Sequence, residues 1–252
     1  MNLGLKDKHV FLTGGSSGIG RETALSFARE GARITVIGRD ETRIINVAGR
    51  LSEIGDGHSV LSHDLEKDGE VKRAIEAAEK ASGPIDIIIH NVGGSLNVRD
   101  LYADKLEWMK VWYHNVGIAI DINNDIVPKM IRSGWGRIVF MSSRVAVEYG
   151  GAPAYSAAKA YLNAYITMIG RDLAGKGVLC NGIMPSAIAA AGNSWGKAQE
   201  NNPKFVEEFI AEHQAIGRLG TPADLIPFIL MLASEENRFA AGAVFSVDGG
   251  SM

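Results

Sequence analysis

A single cysteine in 252 residues, Cys180, leaves no partner for an internal disulfide and too few thiolates for a Cys-rich zinc site. Its place in the apolar run 178–184 reads as buried packing, not a reactive thiol. The six histidines show no metal-ligand spacing, so no metal is expected. Basic residues are not in excess either: 26 Lys and Arg stand against 29 Asp and Glu, a formal net charge of −3. Without surplus positive charge there is little basis for binding a phosphate backbone, so no nucleic-acid partner is expected. Mixed-sign blocks such as 67–80 read as solvated helix faces. Long apolar runs are missing too; none approaches the roughly 20 residues that span a bilayer. The first eight residues, Met-Asn-Leu-Gly-Leu-Lys-Asp-Lys, carry no apolar leader core. The expectation is a cytoplasmic protein with no membrane partner.

What is present is an ordinary globular balance, 46% hydrophobic and 22% charged. Short β-rich runs at 9–13, 33–37, 59–63, 85–90, 137–142, 178–184 and 243–247 alternate with helical patterns. Those patterns cover 19–30, 41–54, 69–81, 104–132, 153–174 and about 222–233. Runs such as Ile85-Asp86-Ile87-Ile88-Ile89 are nearly continuously apolar, as strands covered on both faces must be. Repeated β-α alternation predicts an α/β fold, a doubly wound parallel sheet of about seven strands with helices on both faces. Gly31, Gly83, Gly134 and Gly177 stand between a helix and the next strand, where C-terminal caps belong. No linker or repeat divides the chain, which predicts one domain over 1–252. The segment 186–214 breaks the rhythm at the carboxyl end of a strand, with Pro203 opening a short helix. That is a position for a substrate lid.

The first strand runs into Thr13-Gly14-Gly15-Ser16-Ser17-Gly18-Ile19-Gly20, and a helix follows. Glycine permits the sharp turn and lets main chain approach a pyrophosphate, while the helix start offers free N–H groups and a positive dipole end. This pattern between an apolar strand and a helix, in the first βαβ unit, points to a dinucleotide. The spacing Gly-x-x-x-Gly-x-Gly resembles that of the short-chain dehydrogenase/reductase family, and the resemblance extends from Lys8 to Gly250. It implies a single-domain Rossmann fold and a nicotinamide cofactor. By resemblance, Gly14, Ser16, Ser17, Gly18, Ile19 and Gly20 hold the phosphates, and Asp64, Leu65, Asn91 and Gly93 lie around the adenosine half. The family's Asn-Asn-Ala-Gly run here reads His90-Asn91-Val92-Gly93, with His90 expected to keep a structural hydrogen bond.

Cofactor choice is read at the end of the second strand, Val36-Ile37-Gly38-Arg39-Asp40. A carboxylate at the strand's last position would accept from ribose hydroxyls and repel a 2′-phosphate. Gly38 stands there instead, and the Arg39 guanidinium suits a phosphate. NADP(H) is therefore expected over NAD(H), although Asp40 is adjacent.

Tyr155 and Lys159 are four apart on a helix that Pro153 opens, so they share one face. A fixed ammonium favours phenolate and makes the tyrosine a general acid for carbonyl reduction or a general base for alcohol oxidation. Ser142 at the end of the fifth strand lies thirteen residues before Tyr155, which matches the family's serine; Ser143 is the alternative. Asn115, in the long helical stretch, matches the family's mid-helix asparagine and implies its helix irregularity and proton-relaying water. The resemblance also has Lys159 and Tyr155 contacting the nicotinamide ribose, and Pro185 and Ile188 near the carboxamide. Ser186 replaces a family glycine and Ala190 a family threonine. Arg144 and Trp195 are candidate substrate contacts, Arg144 for an acidic group, though both also read as structural; Trp112 reads equally as packing.

These readings converge on an NADP(H)-dependent oxidoreductase acting on a small-molecule carbonyl or the matching secondary alcohol. The alternatives are an NAD-dependent alcohol dehydrogenase, an epimerase or dehydratase on the same site, and a non-catalytic cofactor sensor. By resemblance, the chain forms a homotetramer.

Overall fold

The computed structural model describes residues 2–148 and 151–251. Seven strands form one parallel sheet: β1 (His9–Thr13), β2 (Arg33–Gly38), β3 (Ser59–Ser62), β4 (Ile87–His90), β5 (Gly136–Met141), β6 (Val178–Pro185) and β7 (Val244–Val247). Their order across the sheet is β3-β2-β1-β4-β5-β6-β7. Each of the first six strands is followed by helix before the next strand begins, as parallel pairing demands. In chain order these helices are α1 (Gly18–Arg29), α2 (Glu41–Ser52), α3 (Glu70–Ser82), α4 (Lys105–Trp112), α5 (Ile118–Ser133), α6 (Val145–Glu148) and α7 (Pro153–Ala174). After β6 come α8 (Ser194–Asn201), α9 (Pro203–His213) and α10 (Pro222–Ala233).

Alternation within the central strands builds two cores. Phe11 of β1 and Ile88 of β4 face α3, α5 and α7. Val10, Leu12, Ile87 and Ile89 face α1, α2 and α10. Every residue of β1, β4 and β5 is buried, which is why their sequences lack polar alternation. Cys180 belongs to the α7 side of this core, and burial pushes its thiol pKa up, consistent with packing.

Strand and helix boundaries agree with the sequence reading to within a residue or two. β4 starts at Ile87; Asp86 before it still donates its N–H to the His9 carbonyl at 2.9 Å, and its carboxylate accepts from the His9 N–H at 2.8 Å. The helix expected over 104–132 carries a π-helical turn at Tyr113–Gly117, at the place where Asn115 implied an irregularity. The short α6 and the polar α8, which buries none of its residues, lie where no helix was expected. Gly31, Gly83, Gly134 and Gly177 all take positive φ, and at Gly177 a Cβ would also collide with the Gly134 carbonyl. No described helix is long and apolar enough to cross a membrane.

The strand order reverses direction between β1 and β4. In an open α/β sheet the crevice at the carboxyl ends of such a pair is where ligands bind. Here the turn into α1 and the loop after β4 open there.

Candidate active site

Two adjoining cavities occupy that edge. The first, about 590 Å³, is lined by Gly14, Ser16, Ser17, Gly18 and Ile19 of the glycine turn, by Gly38 to Asp40, by Asp64 to Glu66, and by Asn91 to Gly93. The second, about 730 Å³, contains Ser142, Ser143, Arg144, Tyr155, Pro185, Ile188 and Trp195. Ile19 and Asn193 line both.

The glycine turn fits a diphosphate. Ser17 is the N-cap of α1 but its side chain caps nothing, so the first N–H groups of the helix face the cavity without a local acceptor. Gly18 has a left-handed φ of 54°, and the nearest atom to a Cβ there would be the Ala190 methyl at 3.7 Å. Gly20 has a different task. A Cβ on it would strike the Gly14 carbonyl and Asn91, so it closes the packing of helix on strand and does not line the cavity. Asn91 ties the two loops together, its Nδ2 donating to the Gly14 carbonyl at 2.8 Å.

At the far end, Arg39 projects with its side chain 62% exposed and pairs with Glu66 at 3.3 Å. The same Glu66 oxygen meets His114 Nδ1 at 2.8 Å. Asp40 does not reach toward a ribose. Its carboxylate caps α2 by accepting from the Arg43 N–H at 3.0 Å and pairs with the Arg43 guanidinium at 3.2 Å. Arg43 also lines the cavity.

Tyr155 and Lys159 project from the first two turns of α7. Lys159 is almost wholly buried, and its Nζ donates to the Met141 carbonyl at 2.7 Å, the last of β5. Burial lowers its pKa to about 7. Its Nζ stands 5.6 Å from the Tyr155 ring centre. Burial raises the Tyr155 pKa, and a hydrogen bond with Ser143 opposes that rise. Gly93 leaves the room they need: a Cβ there would lie 2.8 Å from Asn115 Oδ1 and 3.0 Å from Lys159 Nζ. Asn115 sits in the π-helical turn, with Oδ1 accepting from Gly94 N at 3.0 Å. Its Nδ2 donates to the Gly94 and Val111 carbonyls at 2.8 Å each. The irregular turn thus anchors the loop after β4 beside the lysine.

The serine expected by spacing is not the one beside the tyrosine. Ser142 continues β5, its N–H donating to the Ile183 carbonyl at 2.8 Å. It therefore points to the α7 side like Phe140, and its hydroxyl donates to Asn163 Oδ1 at 2.5 Å. Ser143, the next residue, is the hydroxyl that hydrogen-bonds Tyr155. The thirteen-residue count crosses the connection into α7, and Ser143 lies only twelve residues before Tyr155. Spacing across a loop was the wrong ruler.

Arg144 also departs from its substrate role. It pairs with Glu148 at 2.8 Å and with Asp248 at 3.1 Å, so the cavity sees a neutralised arginine. Trp195 does line the second cavity, tilted against Phe209 with ring centres 4.4 Å apart. Trp112 sets its edge to Tyr161 at 5.8 Å. His90 is buried, stacked on Phe140 at 4.4 Å, with Nε2 donating to Asn123 Oδ1 at 2.9 Å. That structural hydrogen bond is the one the sequence led us to expect. Ser186 ties the 186–214 segment at its base: its hydroxyl donates to Ser251 Oγ at 3.0 Å and accepts from Gln214 Nε2 at 2.9 Å.

Asn193 was missed by the sequence reading. Its Nδ2 donates to the Ile188 carbonyl at 2.7 Å, and its Oδ1 accepts from Ala190 N and Gly196 N at 3.2 and 2.8 Å. It caps α8 at the junction of the cavities, and an Asn three residues before a glycine N–H was the available signal.

Comparison with known proteins agrees with this geometry. Residues 8–201 match the family model described as short chain dehydrogenase. A 2-(S)-hydroxypropyl-CoM dehydrogenase of Xanthobacter autotrophicus is 30% identical over 250 residues, covering 98% of this chain and 97% of its own. The structure of L-sorbose reductase from Gluconobacter frateurii, complexed with NADPH and L-sorbose, matches with a TM-score of 0.91 at 29% identity, covering 99% of this chain and 98% of that one. A 7α-hydroxysteroid dehydrogenase complexed with NADH also reaches 0.91, at 25% identity and with coverage of 100% and 96%. The chain belongs to the short-chain dehydrogenase/reductase family and is an NAD(P)-dependent oxidoreductase.

Proposed function

We propose that the protein reduces a carbonyl compound with NADPH, or oxidises the matching secondary alcohol with NADP. The observation that carries this reading is the Ser143–Tyr155 hydrogen bond in the second cavity, with Lys159 Nζ 5.6 Å from the Tyr155 ring centre. The dinucleotide supplies the hydride; the chain supplies orientation and the proton. Ser143 donates to the substrate oxygen and holds it against Tyr155, whose hydroxyl releases its proton to that oxygen as negative charge develops. Lys159, drawn toward neutrality by burial, exchanges protons near pH 7 and restores the phenol. Asn115 holds the loop that lines the lysine's far side. The reverse reaction uses Tyr155 as base.

Three features support NADP over NAD. Arg39 and Arg43 both reach the adenosine end, Gly38 leaves the strand end without a carboxylate, and Asp40 is engaged in capping α2. Glu66 takes the place on Arg39 that a 2′-phosphate would claim. The 186–214 segment, with α8 and α9 over the second cavity, is suited to act as a lid within a single catalytic domain. Exposed apolar side chains on α7 and β7, including Tyr161, Met168 and Phe245, suit a homotetramer, which sedimentation tests.

A steady-state panel of carbonyls and alcohols with both cofactors tests the activity. Tyr155→Phe is expected to lower turnover by a factor of about 10²–10⁴ while NADPH binding, followed by its fluorescence, stays within a few-fold. Full activity in that variant refutes the proton-transfer assignment.

A further inference from the structure

The sequence singled out Arg144 for an acidic substrate, and the structure neutralises it. The same cavity holds a second arginine. Arg99, exposed on the loop after β4, lines the space that contains Tyr155 and Ser143 and makes no ion pair with any described residue. The one carboxylate among the cavity's described lining residues, Glu148, is already bound by Arg144. Asp100, next to Arg99 in the chain, makes no ion pair with it and accepts from the Tyr102 N–H at 2.9 Å. Among the described residues, then, no carboxylate compensates the Arg99 guanidinium in this cavity.

The loop that presents it is held in an unfavourable backbone. Leu96 and Asn97 have φ of 50° and 62°, two consecutive non-glycine residues in the left-handed region. Left-handed backbone crowds a leucine's Cβ against the following carbonyl. The turn is closed by the Val98 N–H donating to the Ser95 carbonyl at 2.9 Å, which fixes where Arg99 leaves the main chain. The same cavity is also lined by an aromatic group on α8 and α9. Trp195 lies parallel to Phe205 within 9°, and Phe209 packs on Trp195 and His213 with centres 4.4 and 5.0 Å apart. All four residues line the cavity.

We propose that this site selects carbonyl substrates with an aromatic or similarly broad apolar body and a carboxylate remote from the reacting carbon, and that Arg99 is the residue that reads the carboxylate. Guanidinium and carboxylate match in a two-pronged hydrogen bond, while the aromatic wall covers the apolar body. The inference rests on the oxidoreductase reading above for its reactive centre, but the binding it asserts does not depend on turnover.

The test uses 4-oxo-4-phenylbutanoate and its methyl ester, which share the aryl ketone and differ in charge. Binding to the full-length protein saturated with NADP is followed by tryptophan fluorescence, and reduction is followed separately with NADPH. The acid is expected to bind 10–100-fold more tightly than the ester. Arg99→Gln removes that difference and leaves the ester unchanged; Arg99→Lys restores part of it; Arg144→Gln does not abolish it. Acid that binds no more tightly than ester, or an Arg99→Gln loss equal for both, overturns the proposal. Charge discrimination without reduction of any carbonyl supports this site and counts against the proposed activity alone. A melting temperature unchanged in Arg99→Gln shows that the loop still folds.

Discussion

Exchanging the roles of two adjacent serines separates the geometry from the spacing rule. In Ser143→Ala the hydroxyl beside Tyr155 is lost, and with it one donor to the oxygen that becomes negative in the transition state. Removal of such a donor typically lowers kcat by a factor of about 10²–10³, or roughly 3–4 kcal/mol. The stability change is small, because Ser143 is only partly buried at a strand end. Ser142→Ala deletes a different bond: the 2.5 Å contact to Asn163 Oδ1 beneath α7. Half-buried Asn163 loses that donor and is left to solvent, a cost of about 0.5–1.5 kcal/mol. At roughly 2–4 °C per kcal/mol for a chain of this length, its melting temperature falls by a few degrees. Its kcat stays within about threefold of the parent. Steady-state kinetics on one responsive carbonyl, with melting curves of both variants, read all four quantities. A hundredfold loss of kcat in Ser142→Ala at an unchanged melting temperature, with Ser143→Ala active, refutes the reasoning.

His90 titrates near 4 in the fold against an ordinary 6.5, because burial disfavours its charged form. Its contribution is thus fully present above pH 6.5 and lost as pH falls through 4, about 3 kcal/mol in all. His90→Asn should flatten the acid limb of stability over that window; urea midpoints with the same pH slope in both proteins contradict the assignment. Arg39→Ala is expected to weaken NADPH by about 10–100-fold, the worth of a charge-assisted hydrogen bond, with NADH changed far less. Glu66→Gln removes the internal partner of Arg39, so NADPH should bind several-fold more tightly with NADH unaffected; fluorescence titrations that move together for both cofactors rule out a 2′-phosphate contact. Ser186→Gly cuts the link between Gln214 and Ser251 and should speed proteolysis within 186–214, which limited digestion without cofactor would register.

What could be read from the chain and what could not divide along a physical line. The strands were legible because burial on both faces demands uninterrupted apolar residues, and Ile87 to Ile89 meet that demand without help from distant sequence. Tyr155 and Lys159 were legible because helical geometry converts a spacing of four into a shared face. The same arithmetic fails for Ser142, since the residues between it and Tyr155 include a strand end, the short α6 and a connection, and no periodicity fixes the count. Arg144 fails for a further reason. Whether a cation is free depends on what folding brings to it, and Asp248 arrives from the other end of the chain, on the turn after β7. Arg99 is the converse case: nothing local distinguishes it from any surface arginine, and its meaning comes from the cavity and from the absence of a described carboxylate to quench it. Asn193 and α8 were hidden because that helix buries none of its residues, so it leaves no hydrophobic period to detect. The chemistry common to the family is therefore written in rigid, locally periodic elements. The ion pairs of Arg144 and the bonds that tie down the segment over the cavity are long-range pairings that only the folded chain reveals.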